Sequence, residues 1–161
     1  NIDDFYKEIT GMSGLKVVYL PNVTINNYVD DNLRKLLKGI FNKNYIKELN
    51  YGMTIYGPHR DDFYFEYNDK DLKLYGSQGQ QRNAILSSKL AMAEMIFKIK
   101  KEAPTLLLDD VFSELDKNRQ NALINSLNPN FQTIITTASI SDLDKEILDK
   151  AFIIKLDKRS E

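Results

Sequence analysis

The sequence predicts an α/β fold, a parallel sheet with flanking helices, with a small α+β portion at the amino end. Three observations predict it. The second half alternates strand, helix, strand, helix and strand patterns, the order in which a parallel sheet is written. The first strand of that half, Thr105-Leu106-Leu107-Leu108, is largely apolar without alternation, as expected of a strand covered on both faces. A long helix before it, Gln80 to Lys101, carries two neighbouring apolar stripes: Leu86, Leu90, Ala93 and Phe97 in one, Ile85, Met92, Ile96 and Ile99 in the other. So broad an apolar surface predicts a helix buried against a sheet.

The elements follow in order. Leu15 to Leu20 is rich in β-formers and closed by Pro21, a strand pattern. Asn26 to Leu49 has helical periodicity, with an interruption expected around Gly39 to Asn44. Thr54 to Tyr56, Phe63 to Tyr67 and Leu72 to Tyr75 read as short strands, the last two joined by the turn Asn68-Asp69-Lys70-Asp71. The helix from Gln80 spans about 33 Å at ~1.5 Å per residue, and each large side chain it buries contributes about 1.5–3 kcal/mol. After the apolar strand come a helix from Lys117 to Leu127 with Asp116 as its N-cap, a strand from Gln132 to Thr136, a short helix near Asp142 to Leu148, and a strand from Phe152 to Leu156. Ligands of such sheets gather at the carboxyl ends of the strands, which puts Asp109, Asp110 and Thr137 on one edge.

Composition narrows the class. With 161 residues and 42% hydrophobic content, the chain has the make-up of one globular domain rather than a disordered tail. Without cysteine it has neither disulfides nor a thiolate metal site. No apolar run reaches the ~18–20 residues of a membrane span, and Asn1-Ile2-Asp3-Asp4 is no signal peptide, which fits a cytoplasmic address. The start without methionine points to a piece of a longer protein or to a processed chain. A net charge of −1 and a pI near 5.9 leave any nucleic-acid contact to local patches, such as Arg34, Lys35 and Lys38, or Lys98, Lys100 and Lys101. Solvated helix faces are the plainer reading of both clusters.

Three stretches carry chemistry. In Leu106-Leu107-Leu108-Asp109-Asp110 a buried strand delivers acids to its end, the physical content of a Walker B motif: one carboxylate holds Mg²⁺, usually through water, and the next orients the attacking water. An acid/base pair of the glycosidase kind fits less well, because neighbouring strand residues point to opposite faces. The plain alternative is two acids ending a strand and capping a loop. In Ser77-Gln78-Gly79-Gln80-Gln81-Arg82 a Ser beside Gly opens a helix, offering a hydroxyl, free N–H groups and the positive dipole end to an anion. The dipole adds only about 0.3–1 kcal/mol, and a simple Ser N-cap also accounts for the position. In Ser113-Glu114-Leu115-Asp116 the acids also suit an ordinary helix start.

In this order the three resemble the signature motif, Walker B and D-loop of ABC/SMC-type ATPases, with the long helix between the first two. Where the usual signature is LSGGQ, Gly76-Ser77-Gln78-Gly79-Gln80 keeps the Ser, one Gly and the Gln. The departure at Gln78 is similar to the RecF branch. So are Gly57-Pro58-His59-Arg60-Asp61-Asp62 and the run from Leu106 to Asp116. The resemblance covers roughly Tyr51 to Thr137 and implies a RecF-like DNA repair and replication family, an ATP-dependent DNA-binding dimer that works with RecO and RecR to load RecA at gaps and single-strand/double-strand junctions. It implies the carboxyl-terminal part of an ABC-type head: residues 1–50 would be the tail of the family's second, arm lobe, and residues 51–161 the carboxyl-terminal half of its ATPase lobe. It further implies that Asp109 holds Mg²⁺ and Asp110 is catalytic in this protomer's own ATP site. Ser77, Gln78, Gly79, Gln80 and the D-loop Asp116 would serve ATP, Ser77 and Gly79 at the γ-phosphate of the partner in an ATP-dependent homodimer.

Two departures matter. After the strand from Gln132 the wider family places a switch His, and here Thr136-Thr137-Ala138-Ser139 stands instead, so γ-phosphate sensing would fall to a hydroxyl or to a different residue. Thr137 is counted among the expected cofactor-binding residues, and slow, switch-like use of ATP is the hypothesis that follows. No GxxxxGK[ST] occurs, so nothing in the sequence cradles the β- and γ-phosphates, and the chain alone is not expected to hydrolyse ATP. Gly57 to Asp62 has other readings. A kinase-type HRD loop needs Asn where Glu66 stands, a metal site would rest on the sole His, and a structural loop, with Pro58 fixing a turn and Arg60 pairing with a carboxylate, is the preferred one. The rival assignments are an ATPase head of another SMC-type chromosome or break-repair protein, and a non-catalytic interaction module.

Overall fold

The computed structural model describes residues 1–24, 30–113, 115–141 and 143–156. The chain divides into two compact units, Asn1–Leu15 with Gly76–Glu161, and Lys16–Tyr75. The boundary expected near residue 50 falls inside the second of these.

The first unit opens with α1 (Ile2–Thr10), unforeseen in the sequence pattern. Asn1 caps it, Asp3 and Asp4 sit at the positive end of its dipole, and Gly11 closes it in the left-handed conformation at φ 74°. Asp3 then accepts the N–H groups of Gly14 and Leu15 at 2.7 and 2.8 Å, tying the exit loop to the helix start. α1 packs on two further helices, α4 (Gln78–Lys100) and α5 (Lys117–Ser126). At 23 residues α4 is about 34 Å long. Its buried positions are Asn83, Ala84, Ser87, Leu90 and Ala93, a narrow strip facing α1 and the core. The second apolar stripe is uncovered: Met92 is 53% and Ile99 72% exposed. The broad burial expected from the sequence is therefore half right, since helix–helix packing covers one stripe only.

Strand β4 (Leu106–Leu108) pairs in parallel with β5 (Thr133–Ile135), Leu106 opposite Thr133 and Leu108 opposite Ile135. Leu106 N to Gln132 O (2.8 Å) and Thr136 N to Leu108 O (3.0 Å) extend the ladder at both ends. Leu108 is buried, but Leu107 is 73% and its partner Ile134 49% exposed. Cover on both faces was expected. Alternate strand residues face opposite sides, and only one side meets the helices of this unit. The core gathers Ile9, Leu90, Phe112, Leu123 and Ile147, the last from α6 (Lys145–Lys150). Gln120, buried on α5, donates to the carbonyls of Phe112 (3.3 Å) and Leu115 (3.1 Å), holding the loop that leaves β4. Asp142, expected to begin the last helix, lies outside the described residues. The expected strand Phe152 to Leu156 does not form: among the described residues the segment has no ladder partner, and Phe152 and Leu156 are 91% and 92% exposed.

In the second unit β1 (Lys16–Leu20) pairs antiparallel with β2 (Asp62–Tyr67), which turns back through Asn68 and Asp69 into β3 (Lys70–Asp71). Both turn residues have positive φ, 52° and 57°, as a two-residue hairpin loop requires. The expected strand Leu72–Tyr75 is instead a single helical turn, α3. α2 (Asp30–Tyr51) runs unbroken through Gly39 to Asn44, against the expected interruption; Asn26 to Tyr28, where it was expected to start, lie outside the described residues. One interior Gly costs a helix about 1 kcal/mol, too little to break 22 residues, and Asn44 bonds back to the Ile40 carbonyl at 2.9 Å. Thr54 to Tyr56 is a loop, because Glu48 Oε1 takes the N–H groups of Ile55 (2.7 Å) and Tyr56 (3.3 Å) that a strand would have paired.

Candidate functional site

The end of β4 is an exposed turn held by side-chain hydrogen bonds. Asp109 and Asp110 both reach solvent. Asp110 sits in the left-handed region at φ 47°, so the chain leaves strand geometry there and the alternation of side chains ends. Thr136, the residue after β5, holds both acids. Its hydroxyl donates to Asp109 Oδ1 at 2.5 Å and accepts the Asp110 N–H at 3.0 Å. Ser113 closes the turn, donating to the Asp110 carbonyl from its hydroxyl at 2.9 Å. Thr137, the residue selected from the sequence, is turned aside: its hydroxyl donates to the Ser139 carbonyl at 3.1 Å. The register makes this intelligible. Ile135 stands opposite Leu108 in the parallel ladder, so Thr136 comes level with Asp109.

Ser77 is the N-cap of α4 in a complete capping box. Its hydroxyl accepts the Gln80 N–H at 3.3 Å, and Gln80 Oε1 accepts the Ser77 N–H at 2.9 Å. Gln78 and Gly79 form the first turn, where N–H groups have no partner within the helix. A Cβ added at Gly79 would meet nothing within 4 Å. Asp116 caps α5 by accepting the Arg119 N–H at 3.0 Å, as expected, and pairs with the Arg119 guanidinium at 3.5 Å. Glu114 lies outside the described residues. Hydrogen bonds thus join Asp109, Asp110, Thr136 and Ser113, and among the described residues none links that group to Ser77–Gln80 or to Asp116.

In the second unit Pro58–Arg60 is a 3-10 turn, with Pro58 setting its start as expected. Gly57 has φ 127°, and a Cβ there would lie 3.1 Å from His59 Nδ1. Arg60 donates to the Thr54 carbonyl at 3.0 Å rather than to the expected carboxylate. Asp61 accepts from the Tyr19 hydroxyl and from the Asn22 N–H, which together hold its carboxyl below the usual carboxylate range. Among the described residues no cluster of three or more His, Asp or Glu could hold a metal ion. The basic groups Arg34, Lys35 and Lys38 are exposed on α2. Lys98 and Lys100 occupy the last turn of α4 and Lys101 is its left-handed C-cap, a placement the helix dipole favours. Among the described residues no helix is long and apolar enough to cross a membrane.

Compared with known proteins, the chain is 44% identical over 158 residues to the DNA replication and repair protein RecF of Clostridium kluyveri, a match covering 96% of this chain and 42% of that protein. It is 43% identical over 144 residues to RecF of Lachnospira eligens, covering 88% of this chain and 36% of the relative. The chain is a RecF homologue. It spans about two-fifths of the length of these relatives, and RecF of Bacillus cytotoxicus, 42% identical over 142 residues, is matched over 38% of its length. Two solved structures of the recombination mediator protein RecF of the RecFOR pathway, one with ATPγS and one with ATP, are similar in fold at a TM-score of 0.68 and 38% identity. They cover 89% and 86% of this chain, and 38% and 37% of their own length is matched. No protein-family model matches the chain.

Proposed function

We propose that this chain is the carboxyl-terminal part of a RecF-type ATPase of DNA repair and replication, contributing to two composite ATP sites of a homodimer. The observation that carries the reading is the pair of exposed carboxylates fixed at the carboxyl end of a parallel strand, where ligands of such sheets bind. Asp109 and Asp110 fit a hydrated magnesium: that ion keeps several waters and takes one or two carboxylates together with substrate phosphates, so two acids suffice. Bound MgATP would supply the transferable phosphoryl group and the cation that neutralises its charge. Within that arrangement Asp109 holds the hydrated cation and Asp110, turned out of the strand, orients the attacking water. Thr137 occupies the family's switch position with a hydroxyl that cannot carry a proton as imidazole does, which supports slow turnover.

Ser77, Gln78, Gly79 and Gln80 act in trans on the nucleotide of the partner protomer, with Asp116 in the loop between the two sites. The unpaired N–H groups of the first turn and the dipole suit a phosphate. Gly79 supports this reading, because a glycine in a helix costs about 1 kcal/mol and among the described residues nothing lies within 4 Å of a Cβ placed there. Of the division expected at residue 50, we keep the arm lobe only for the stretch after Leu15, since α1 packs on α4 and α5 of the ATPase lobe. The uncovered faces of α4 and of the two-stranded sheet then pack against the remaining part of that lobe, which also brings the phosphate-binding loop. The whole protein binds single-strand/double-strand DNA junctions in the cytoplasm and helps RecO and RecR load RecA.

The test uses the full-length protein. Asp109→Asn should abolish hydrolysis, and Ser77→Arg should abolish nucleotide-driven dimerisation. Unchanged assembly and hydrolysis in both variants would reject the ATPase assignment.

A further inference from the structure

We propose that Thr136 is a positioning residue for the acidic pair, fixing the Asp109 carboxylate for the cation and the Asp110 backbone for the water-orienting role; the inference rests on the ATPase reading above. A hydroxyl has one proton to give and two lone pairs to accept with. Here a lone pair is occupied by the Asp110 N–H at 3.0 Å, and the proton goes to Asp109 Oδ1 at 2.5 Å. Accepting from one acid's backbone therefore sets the direction in which the proton reaches the other acid's side chain. Asp109 Oδ2 is left without a partner among the described residues, available to a hydrated cation.

The same hydroxyl stabilises an unusual backbone. Asp110 at φ 47° is in a region that few residues other than Gly occupy, and its N–H is the group Thr136 holds. Position is guaranteed from the strand itself, since the Thr136 N–H donates to the Leu108 carbonyl at 3.0 Å. Thr136 is thus anchored to β4 by its backbone and to both acids by its side chain. Valine has nearly the same shape and no hydroxyl, whereas serine keeps the hydroxyl and loses only the methyl group.

The experiment compares Thr136→Val and Thr136→Ser in the full-length protein. Two quantities are measured: the Mg²⁺ concentration giving half-maximal ATP hydrolysis at saturating ATP, and hydrogen exchange of the Asp110 amide without nucleotide. Loss of a group that orients a metal ligand typically costs 10–100-fold in metal affinity or activity. Thr136→Val should therefore raise the Mg²⁺ requirement about tenfold and speed exchange at Asp110, while Thr136→Ser leaves both near the unsubstituted values. If Thr136→Val does not fold, Thr136→Ala removes the same hydroxyl and takes its place. A hydroxyl-free variant with an unaltered Mg²⁺ requirement overturns the positioning role, as does a Thr136→Ser variant as impaired as Thr136→Val. An unsubstituted protein with no Mg²⁺-dependent hydrolysis overturns the ATPase reading itself, and this inference with it.

Discussion

The two motif-bearing turns of the first unit are built in opposite ways. At Ser77 the cap is local: the hydroxyl and its partner Gln80 are three residues apart, and the capping box closes on itself. At Asp109 the decisive tie comes from Thr136, 27 residues away at the end of the neighbouring strand. A local device presets a surface before any tertiary structure exists, whereas a cross-strand device holds its residues only while the sheet is intact. That suits a trans contribution, which must be ready to meet a partner, and a cis contribution, which must stay aligned with its own strand.

The largest effect that could break this contrast is at the acids. Asp109→Asn should lower hydrolysis by the full-length protein more than the 10–100-fold typical of a lost outer partner, with α4 and its cap untouched. Steady-state kinetics beside a thermal melt checks both halves of that statement. At the other turn, capping and phosphate contact can be separated. Aspartate caps helices as well as serine does, so Ser77→Asp should keep the melting temperature yet lose nucleotide-driven assembly, because its charge opposes a phosphate. Ser77→Ala should instead cost about 1 kcal/mol in chemical denaturation. If Ser77→Asp assembles normally, Ser77 is a cap and nothing more.

A similar distant tie can be tested in the second unit at Asp61, 42 residues from Tyr19. Its carboxyl is held below the ordinary value of 3.8, by the Tyr19 hydroxyl first and the Asn22 N–H second. A depressed folded-state value means a contribution fully present above the unfolded value and lost as pH falls through the folded one. Tyr19→Phe should therefore flatten the decline of stability with acid below about pH 4, a small change read from denaturation at several pH values. Gly57→Ala, which forces a side chain to φ 127° beside His59, should destabilise that loop by about 1–3 kcal/mol.

The same contrast explains what the sequence made legible. Ser77 and Asp116 as caps, the long helix, and a turn at Asn68-Asp69 rest on residues close in the chain and were legible, though the turn was expected to run on through Lys70-Asp71, which instead form β3. The Thr136 hydroxyl was not singled out, because seeing that it comes level with Asp109 needs the strand register, which pairs residues far apart. Leu72-Lys73-Leu74-Tyr75 alternates like a strand but has only a two-residue pairing before it, so it closes as a helical turn. Phe152 to Leu156 has strand composition but no pairing strand among the described residues, and composition cannot supply one. The uncovered stripe of α4 is the same lesson on a larger scale: periodicity marked the apolar positions, and what covers Ile99 is not written in them.

The measurement that tests the central claim most directly mixes two full-length variants, Asp109→Asn and Ser77→Arg, each inactive alone. If the acids act in cis and the Ser77 turn in trans, each heterodimer has one site with both contributions intact and one with neither. Heterodimers held by that intact site should then restore hydrolysis well above either component, up to roughly a quarter of the unsubstituted rate if half the dimers are mixed. A mixture that stays as inactive as its components would contradict the division of one chain between two sites.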